Sequence, residues 1–558
     1  MPGVVTATIV DLARSTVMNP QYNLLSIDII QEINKIPTAQ LVLLDGDAAQ
    51  QQFMLSNDAF FKPGNQLAIK LRYEGEPDTT VFAGFIVKQR IRANPNQSIL
   101  TLTLKDAAIQ LTQQRKNAIF HEQDDLAMIR SLLKPSGLQL VTQLPPGQPA
   151  KHAEMVQYYC TDWDFMLSRA AANGWWVVAG QGKIHLLAPT AIKGKPIPLV
   201  YGLDDIYDLE TETDIREQFK TVMAIAWDAQ NQTLGAPQTA SSITLKQTAL
   251  DPVATGAALG ADTCQLLAGT AMPAPEAKAW AQAHLLKQRL AMLRGRLQVP
   301  GRGDLQPGTW LKLEKFNTYF NGETLMTGVR HQVSEAGWQT DVQFGASPRR
   351  FAPAAEMMAP PAAGLVPALQ GLQIGVVANT DLDPSGMFRV QVELPRLKPT
   401  PNSPQNDGLV WARLATLEAG LSADGQQGRG TLFRPEPGDE VVLGFLNDDP
   451  RQAVILGALP SAQHQPPVSP TAENGERGIF SKENLKLTFN DQTKAIALET
   501  PKQNCLVLGD EAGEIYLRDQ HQNQIMMNAE GITLKSEKDI TIAAQGKIIL
   551  QGSQVDVE

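Results

Sequence analysis

The sequence predicts a mainly β protein with α/β insertions, and three observations carry that expectation. From Leu485 onward the chain is a ladder of short segments with apolar residues two apart. A strand-rich block near Lys62 recurs near Gln306, and helical periodicity is confined to a few stretches between the strand blocks.

Residues 1–105 read as a first β-barrel. Its strands include Leu24-Leu-Ser-Ile-Asp-Ile-Ile, Gln40-Leu-Val-Leu-Leu, Gln66-Leu-Ala-Ile-Lys-Leu, Val81-Phe-Ala-Gly-Phe-Ile-Val and Ile99-Leu-Thr-Leu-Thr-Leu, punctuated by Gly, Pro and Asn. An α/β insertion is expected over 106–200. One of its helices places Leu126, Ile129 and Leu133 on one face. The other starts at Thr161, a plausible N-cap with Asp164 three residues on, and stops at Asn173-Gly174.

A second barrel with a long helix, roughly Pro275 to Arg296, is expected over 201–351. It repeats the first: Lys62-Pro-Gly-Asn-Gln-Leu-Ala-Ile-Lys-Leu resembles Gln306-Pro-Gly-Thr-Trp-Leu-Lys-Leu-Glu. Gly64 to Gly84 and Gly308 to Gly328 are both 20 residues. A Pro- and Ala-rich linker occupies 352–368, and a small Greek-key barrel of OB type is expected over 369–459. A second linker, 460–476, precedes the ladder at 477–558.

The ladder's pairs are Ile496/Leu498, Leu506/Leu508, Ile515/Leu517, Ile525/Met527, Ile532/Leu534, Ile540/Ile542, Ile548/Leu550 and Val555/Val557. Their first members lie 10, 9, 10, 7, 8, 8 and 7 residues apart. Side chains alternate across a strand, so each pair points to one face. No helical period occurs in this stretch to cover that stripe. Copies of the chain wound about a common axis, stripes inward, would bury it as a rigid prism; a single-chain meander or solenoid is the other reading.

Composition narrows the functional classes. With 558 residues, 43% hydrophobic and 19% charged, the chain suits several packed domains. The start shows no basic region followed by an apolar run, so no cleaved export signal is expected. A net charge of −10 without a run of Lys and Arg argues against a nucleic-acid partner. Cys160, Cys264 and Cys505 are too scattered for a disulfide framework or metal cluster and are expected to be buried thiols.

In three places the chain resembles the VgrG-type spike proteins of contractile injection systems, which include phage-tail hub and spike proteins and type VI secretion tips. These are Thr161-Asp-Trp-Asp-Phe-Met-Leu-Ser-Arg-Ala-Ala-Ala-Asn-Gly-Trp-Trp, Leu432-Phe-Arg-Pro-Glu-Pro-Gly-Asp-Glu-Val-Val-Leu-Gly-Phe-Leu-Asn-Asp-Asp-Pro-Arg with Val454-Ile-Leu-Gly, and the ladder, in that order. The resemblance implies a homotrimer with two hub β-barrels per chain, an OB-fold collar and a C-terminal triple-stranded β-helix. It implies a spike that adapts a threefold tip to a sixfold inner tube and pierces a target envelope when a sheath contracts. Its trimer core would be Ile496, Leu498, Leu506, Leu508, Ile515, Leu517, Ile525, Met527, Ile532, Leu534, Ile540, Ile542, Ile548 and Leu550.

The implied partners are further copies of the chain, a hexameric tube protein, baseplate proteins, effector cargo and a PAAR-repeat tip protein bound through Val555 and Val557. The chain would be assembled in a bacterial cytoplasm and leave in a phage-tail-like particle. An extracellular injection particle is the first reading, a type VI secretion tip the alternative, and a cell-wall-degrading spike enzyme the third.

Catalysis is not expected. H-E-x-x-H, G-x-S-x-G and Walker motifs are absent from the sequence. The acidic pairs Asp124/Asp125 and Asp448/Asp449 read as helix capping and a turn, and Arg302-Gly303-Asp304 as a turn. Many needles of the resembled family carry a histidine-x-histidine iron site, whereas this ladder holds only His521; neither a metal nor a cofactor is expected.

Overall fold

The computed structural model describes residues 3–46, 53–94, 97–147, 149–228, 231–347, 361–381, 383–398 and 408–556. Of the linker expected at 352–368, residues 352–360 lie outside the described residues. The chain divides into two compact units, Met1–Ala359 and Pro360–Glu558.

The first unit is organised by one 13-stranded sheet. Its N-terminal block comprises β1 (Val5–Asp11), β2 (Leu24–Glu32), β3 (Thr38–Leu44), β4 (Gln66–Tyr73), β5 (Thr79–Asn94) and β6 (Gln97–Lys105). They are ordered β2-β3-β6-β5-β4-β1. Alternate residues turn inward, so Ile27, Ile29, Leu41, Leu43, Leu102 and Leu104 are almost fully buried in one core.

The second block comprises β7 (Ile197–Val200), β8 (Asp208–Thr213), β9 (Leu293–Pro300), β10 (Trp310–Glu314), β11 (Gly322–Ser334) and β12 (Gly337–Phe344). Its order, β8-β9-β12-β11-β10-β7, reproduces the first block strand for strand. It has its own core around Leu297, Leu311, Met326, Val342 and Phe344. The two blocks share one sheet because β11 pairs antiparallel with β2, Gly328 opposite Glu32 through Val333 opposite Ile27. One pairing differs: β7 lies parallel to β10, whereas β1 is antiparallel to β4.

The hydrogen bonds fix how the repeat aligns. Gly64 N–H donates to the Ile86 carbonyl (2.9 Å) and Gly308 N–H to the Met326 carbonyl (2.8 Å), with both glycines at positive φ, +96° and +82°. The turn glycines therefore correspond, which suits a position where a side chain would be strained. The downstream match is Ile86 with Met326, not Gly84 with Gly328; the hairpin from turn glycine to match spans 22 residues in the first block and 18 in the second, because β4 and the start of β5 are longer than β10 and the start of β11.

Between the blocks, β-strands and two helices form a separate core around Met128, Trp163, Phe165, Val177 and Ile184. Helix α1 (Asp125–Leu133) begins where Asp124 accepts the Ala127 N–H. Helix α2 (Asp162–Ala172) begins where Thr161 Oγ1 accepts the Asp164 N–H at 3.1 Å. The long helix, α3 (Ala274–Ala291), stops before Arg296 because Leu293, Leu297 and Val299 alternate into the buried face of β9.

In the second unit, β13 (Gln373–Asn379), β14 (Val390–Glu393), β15 (Leu409–Leu414), β16 (Glu440–Phe445) and β17 (Ala453–Ala458) close a barrel in the order β13-β14-β15-β17-β16. Val377, Val390, Val392, Ala412, Leu443 and Ile455 fill it. The ladder then folds as a seven-stranded antiparallel meander: β18 (Glu476–Phe480), β19 (Lys486–Asn490), β20 (Ala495–Glu499), β21 (Cys505–Gly509), β22 (Glu514–Arg518), β23 (Gln524–Asn528) and β24 (Gly531–Lys535).

Candidate functional site: an apolar face on the C-terminal meander

The turns of the meander are set locally. Asn490 Oδ1 accepts the N–H groups of Gln492 and Thr493 (3.0 and 2.9 Å), Asp519 Oδ1 those of His521 and Asn523 (2.8 and 2.9 Å), and Asn528 Oδ1 that of Glu530 (2.9 Å). Such side-chain acceptors hold tight turns, and tight turns fix the register.

That register sorts the apolar side chains into two columns, since directly opposed residues in an antiparallel pair share a face. One column runs Phe489, Ile496, Leu508, Ile515, Met527, Ile532. The other runs Ile479, Leu487, Leu498, Leu506, Leu517, Ile525, Leu534. Both lie on the same face. Within one chain this face is open: Ile515 and Leu517, in the middle of the sheet, remain 44% and 45% exposed. The second column lines a groove of about 960 Å³, edged by polar residues such as Lys486, Glu499 and Asp519. A continuous open apolar face of this size marks a surface for association.

The structure brings ten of the sequence-predicted residues, Ile496 through Leu534, into this face. Ile540, Ile542, Ile548, Leu550 and Val555 are exposed but follow the last strand; the described residues contain no strand after Lys535. The eight-step ladder expected from the sequence is thus shorter at its end in a single chain, because those steps have no strand beside them to pair with. Val557 lies outside the described residues. Sequence reading missed the upper end of the columns, Ile479, Leu487 and Phe489, although Leu487 and Phe489 carry the same two-residue spacing.

A buried polar cluster lies between the helices of the first unit. Asp125, next to the capping Asp124, is buried and takes two hydrogen bonds from Arg169 (2.6 and 3.2 Å) and one from Asn173 (2.7 Å). His152 Nε2 lies 3.2 Å from Asp125, and Arg169 Nη2 reaches Glu276 on α3 at 3.1 Å. Burial pushes the Asp125 carboxyl up, but the Arg169 hydrogen bonds and charge, with Asn173 and His152, outweigh it and hold it below the usual range. The cluster ties α1, α2 and α3 together.

Asp449 accepts from Arg451, and Arg302 from its own tripeptide bonds Asp304. Among the described residues no group of three or more His, Cys, Asp or Glu is placed to hold a metal, and no helix is long and apolar enough to cross a membrane. Cys160, Cys264 and Cys505 form no disulfide and are half-buried rather than buried, Cys505 on the polar face of the meander.

Comparison with known families agrees with this architecture. Residues 373–459 match the type VI secretion system/phage-baseplate injector OB domain, and residues 495–558 the phage baseplate V C-terminal trimerisation domain. The chain thus carries an OB domain and a trimerisation domain of the kind found in baseplate injector proteins of phages and type VI secretion systems. Over residues 2–335, more than half of its length, the chain belongs to the family described as the Alg8 N-terminal domain.

Similar solved structures include the 43 kDa tail protein of prophage MuSo2 from Shewanella oneidensis, at 12% identity over 61% of this chain and 98% of that one, TM-score 0.45. The E. coli c3393 protein, described as a type VI secretion component similar to the T4 tail proteins gp27 and gp5, has 14% identity over 79% and 98%, TM-score 0.41. The lidded Francisella PdpA–VgrG complex has 9% identity over 95% and 80%, TM-score 0.40. No curated protein sequence matches the chain.

Proposed function

We propose that three copies of the chain bring their two-column apolar faces together about a common axis as the central spike and hub of a contractile injection particle. The observation that carries this reading is the open face of the meander, which coincides with the match to a trimerisation domain over 495–558. Burying each aliphatic side chain contributes about 1.5–3 kcal/mol gross. A column of six or seven such residues per chain is ample for a stable trimer. The steps at Ile540/Ile542 and Ile548/Leu550 gain strand partners from neighbouring copies and wind into the narrow end of the needle.

The two topologically equivalent blocks of each chain give a trimer six similar blocks, a pseudo-sixfold ring that docks a hexameric tube without a symmetry mismatch. Sheath contraction then drives the tube and its spike through a target envelope, with baseplate proteins around the hub and effectors as cargo. The end near Val555 and Val557 presents apolar side chains to a PAAR-repeat tip protein. The particle is assembled in a bacterial cytoplasm and acts outside it. A type VI tip uses the same geometry, and the OB family's description covers that setting as well; the sheath and tube that co-purify decide between them.

The OB and trimerisation domains are structural parts of such machines, so purified protein should release no peptidoglycan fragments. The reading is tested in a producing strain. Ile532→Asp places three carboxylates around one axis and should abolish spiked particles and killing, whereas Thr533→Asp, on the opposite face, should leave both. Equal loss from both changes would refute the assigned face. Deleting Gln554 to Glu558 should spare the trimer and abolish capture of the tip protein.

A further inference from the structure

The insertion between the two blocks carries a three-stranded sheet in which Lys183–Leu187 lies between Trp176–Gly180, antiparallel, and Gln139–Gln143, parallel. One face of it packs on the insertion's own core, where Val177, Ala179, Ile184 and Leu186 are almost fully buried. Alternation puts Val178, Gly180, Lys183, His185 and Leu187 on the other face, which roofs a cavity of about 390 Å³. The floor comes from the second block, the turn at residues 306–309 and His331 on β11, and one side from the first block, Gln31 on β2 and Thr80 on β5. The cavity sits where the insertion covers the joint at which β11 pairs with β2.

Roof and floor touch at one end and part at the other. A Cβ added at Gly308 would lie 2.5 Å from Leu187 Cδ1 and 3.2 Å from Val178 Cγ2, so the turn closes against the sheet there without a side chain. A Cβ added at Gly180 would meet nothing within 4 Å. The polar groups around this space are fixed at one end and unused at the other. Gln31 Nε2 donates to the Val81 carbonyl (3.0 Å) and Gln181 Nε2 to the Thr80 carbonyl (3.3 Å), while Gln143 Oε1 accepts the Lys193 N–H (3.1 Å). Gln31 Oε1, Gln181 Oε1 and Gln143 Nε2 have no partner among the described residues. His331, 1% exposed, engages Thr340 Oγ1 through Nδ1 (3.0 Å), which leaves Nε2. The His185 ring has no hydrogen-bond partner among the described residues. Polar side-chain ends in a protein interior are normally paired, so unused ends converging on one cavity mark a ligand site.

The chemistry of these groups selects the ligand. Burial pushes the His331 imidazole down to about 4, and burial with the nearby Lys183 charge lowers that of His185, so both rings are neutral near pH 7. Glu32 at the edge is paired with Lys35 (2.5 Å), and Lys183 is exposed. A phosphate or carboxylate ligand calls for a cluster of cations and a nucleobase for an aromatic platform; among the described residues the lining offers neither. It offers neutral acceptors and donors side by side, next to the aliphatic surfaces of Val178, Leu187 and Pro307. Hydroxyl groups, which donate and accept at once, carried on a ring with apolar C–H faces, match that lining.

We infer that this cavity binds a neutral saccharide of one or two rings, with Gln31 and Gln181 accepting from its hydroxyls, Gln143 donating to them, and His185 and His331 completing the polar lining. Its volume of about 390 Å³ lies within the range of small-ligand sites, roughly 300–1,000 Å³. All the residues involved belong to one chain, so the site does not depend on the trimer proposed above.

The test is ligand-observed NMR and calorimetry on the full chain, with cellobiose, N,N′-diacetylchitobiose, glucose 6-phosphate and triglycine as probes. At least one of the two disaccharides should bind, and more tightly than the phosphate or the peptide. Gly180→Phe, which places a ring in the open space, should abolish binding, while Gln31→Leu and His185→Leu should each weaken it several-fold, the scale of one neutral hydrogen bond. Gly269→Phe, at a position outside the cavity where an added Cβ also meets nothing within 4 Å, should bind as wild type does. If Gly180→Phe loses the first unit's unfolding transition, the two leucine variants decide. Failure of both disaccharides to bind, tighter binding of the phosphate or the peptide, or unchanged binding in the folded cavity variants would overturn the site. Each of those results would leave the needle trimer, read separately by native mass, as it stands.

Discussion

The N-terminal sheet and the C-terminal meander are written in the same alphabet of alternating aliphatic residues and use it in opposite ways. In the first, Ile27, Ile29, Leu41 and Leu43 are covered by the rest of their own block and lose essentially all exposure. In the second, Ile515, Leu517, Ile525 and Met527 have the same spacing and strand geometry but no cover within the chain. The difference teaches where each part obtains its stability. On the proposed reading, the hub blocks fold within one chain and the needle gains its core by assembly. Substitutions in the hub should act on the unfolding of one chain, and substitutions on the needle face on the association of three.

The largest expected effect is in the hub's buried ion cluster. Arg169→Met leaves Asp125 charged and buried without its main partner, a loss of about 3–5 kcal/mol. The folded-state carboxyl is held below its unfolded value, so its stabilisation is present above that value and lost as pH falls through the folded one. Chemical denaturation of wild type and variant should therefore differ most near neutral pH and converge in acid. A constant gap down to acid pH would contradict the role given to Arg169.

Next, paired aliphatic truncations sharpen the contrast. Leu41→Ala, in a filled core, should cost about 2–5 kcal/mol in the unfolding of the first unit. Leu517→Ala should change that transition by less than about 0.5 kcal/mol while weakening the trimer in dilution experiments. Similar unfolding losses from both would erase the distinction.

A third effect belongs to the internal joint. His331 on β11 is buried against Thr340 and Trp338, and burial pushes its imidazole down from 6.5 to about 4. The unfolded chain therefore binds a proton that the folded one does not, and stability falls as pH drops from about 6.5 toward about 4, by about 3 kcal/mol. His331→Gln should flatten that part of the profile; an unchanged slope would assign it elsewhere. The smallest effect is at a helix start: Thr161→Ala removes the cap of α2 and should cost about 1 kcal/mol.

Much of this was legible in the sequence because it is local. The two-residue period of Ile515/Leu517 and Ile525/Met527 announces strands with one apolar face, and Thr161 with Asp164 announces a helix start. The Pro-Gly turns at Gly64 and Gly308 announce the repeat, but the hairpins that follow differ in strand length, so the spacing of glycines misaligned what the hydrogen bonds align. Long-range pairing leaves no local signature: Val333 meets Ile27 across some three hundred residues of chain. Asp125 reads in the sequence as part of a helix cap because its partners, Arg169 and Asn173, lie more than forty residues away. The end of α3 was read too long because Ala-rich helical periodicity runs on into residues whose alternation belongs to a strand.

The central claim, that the needle face is the trimer's core, is tested most directly by native mass measurement of the full chain and of Leu517→Asp, beside Thr533→Asp on the opposite face. The account predicts three chains for wild type and Thr533→Asp, and a single folded chain for Leu517→Asp with the first unit's unfolding transition intact. A single chain for wild type, or three chains for Leu517→Asp, would contradict it.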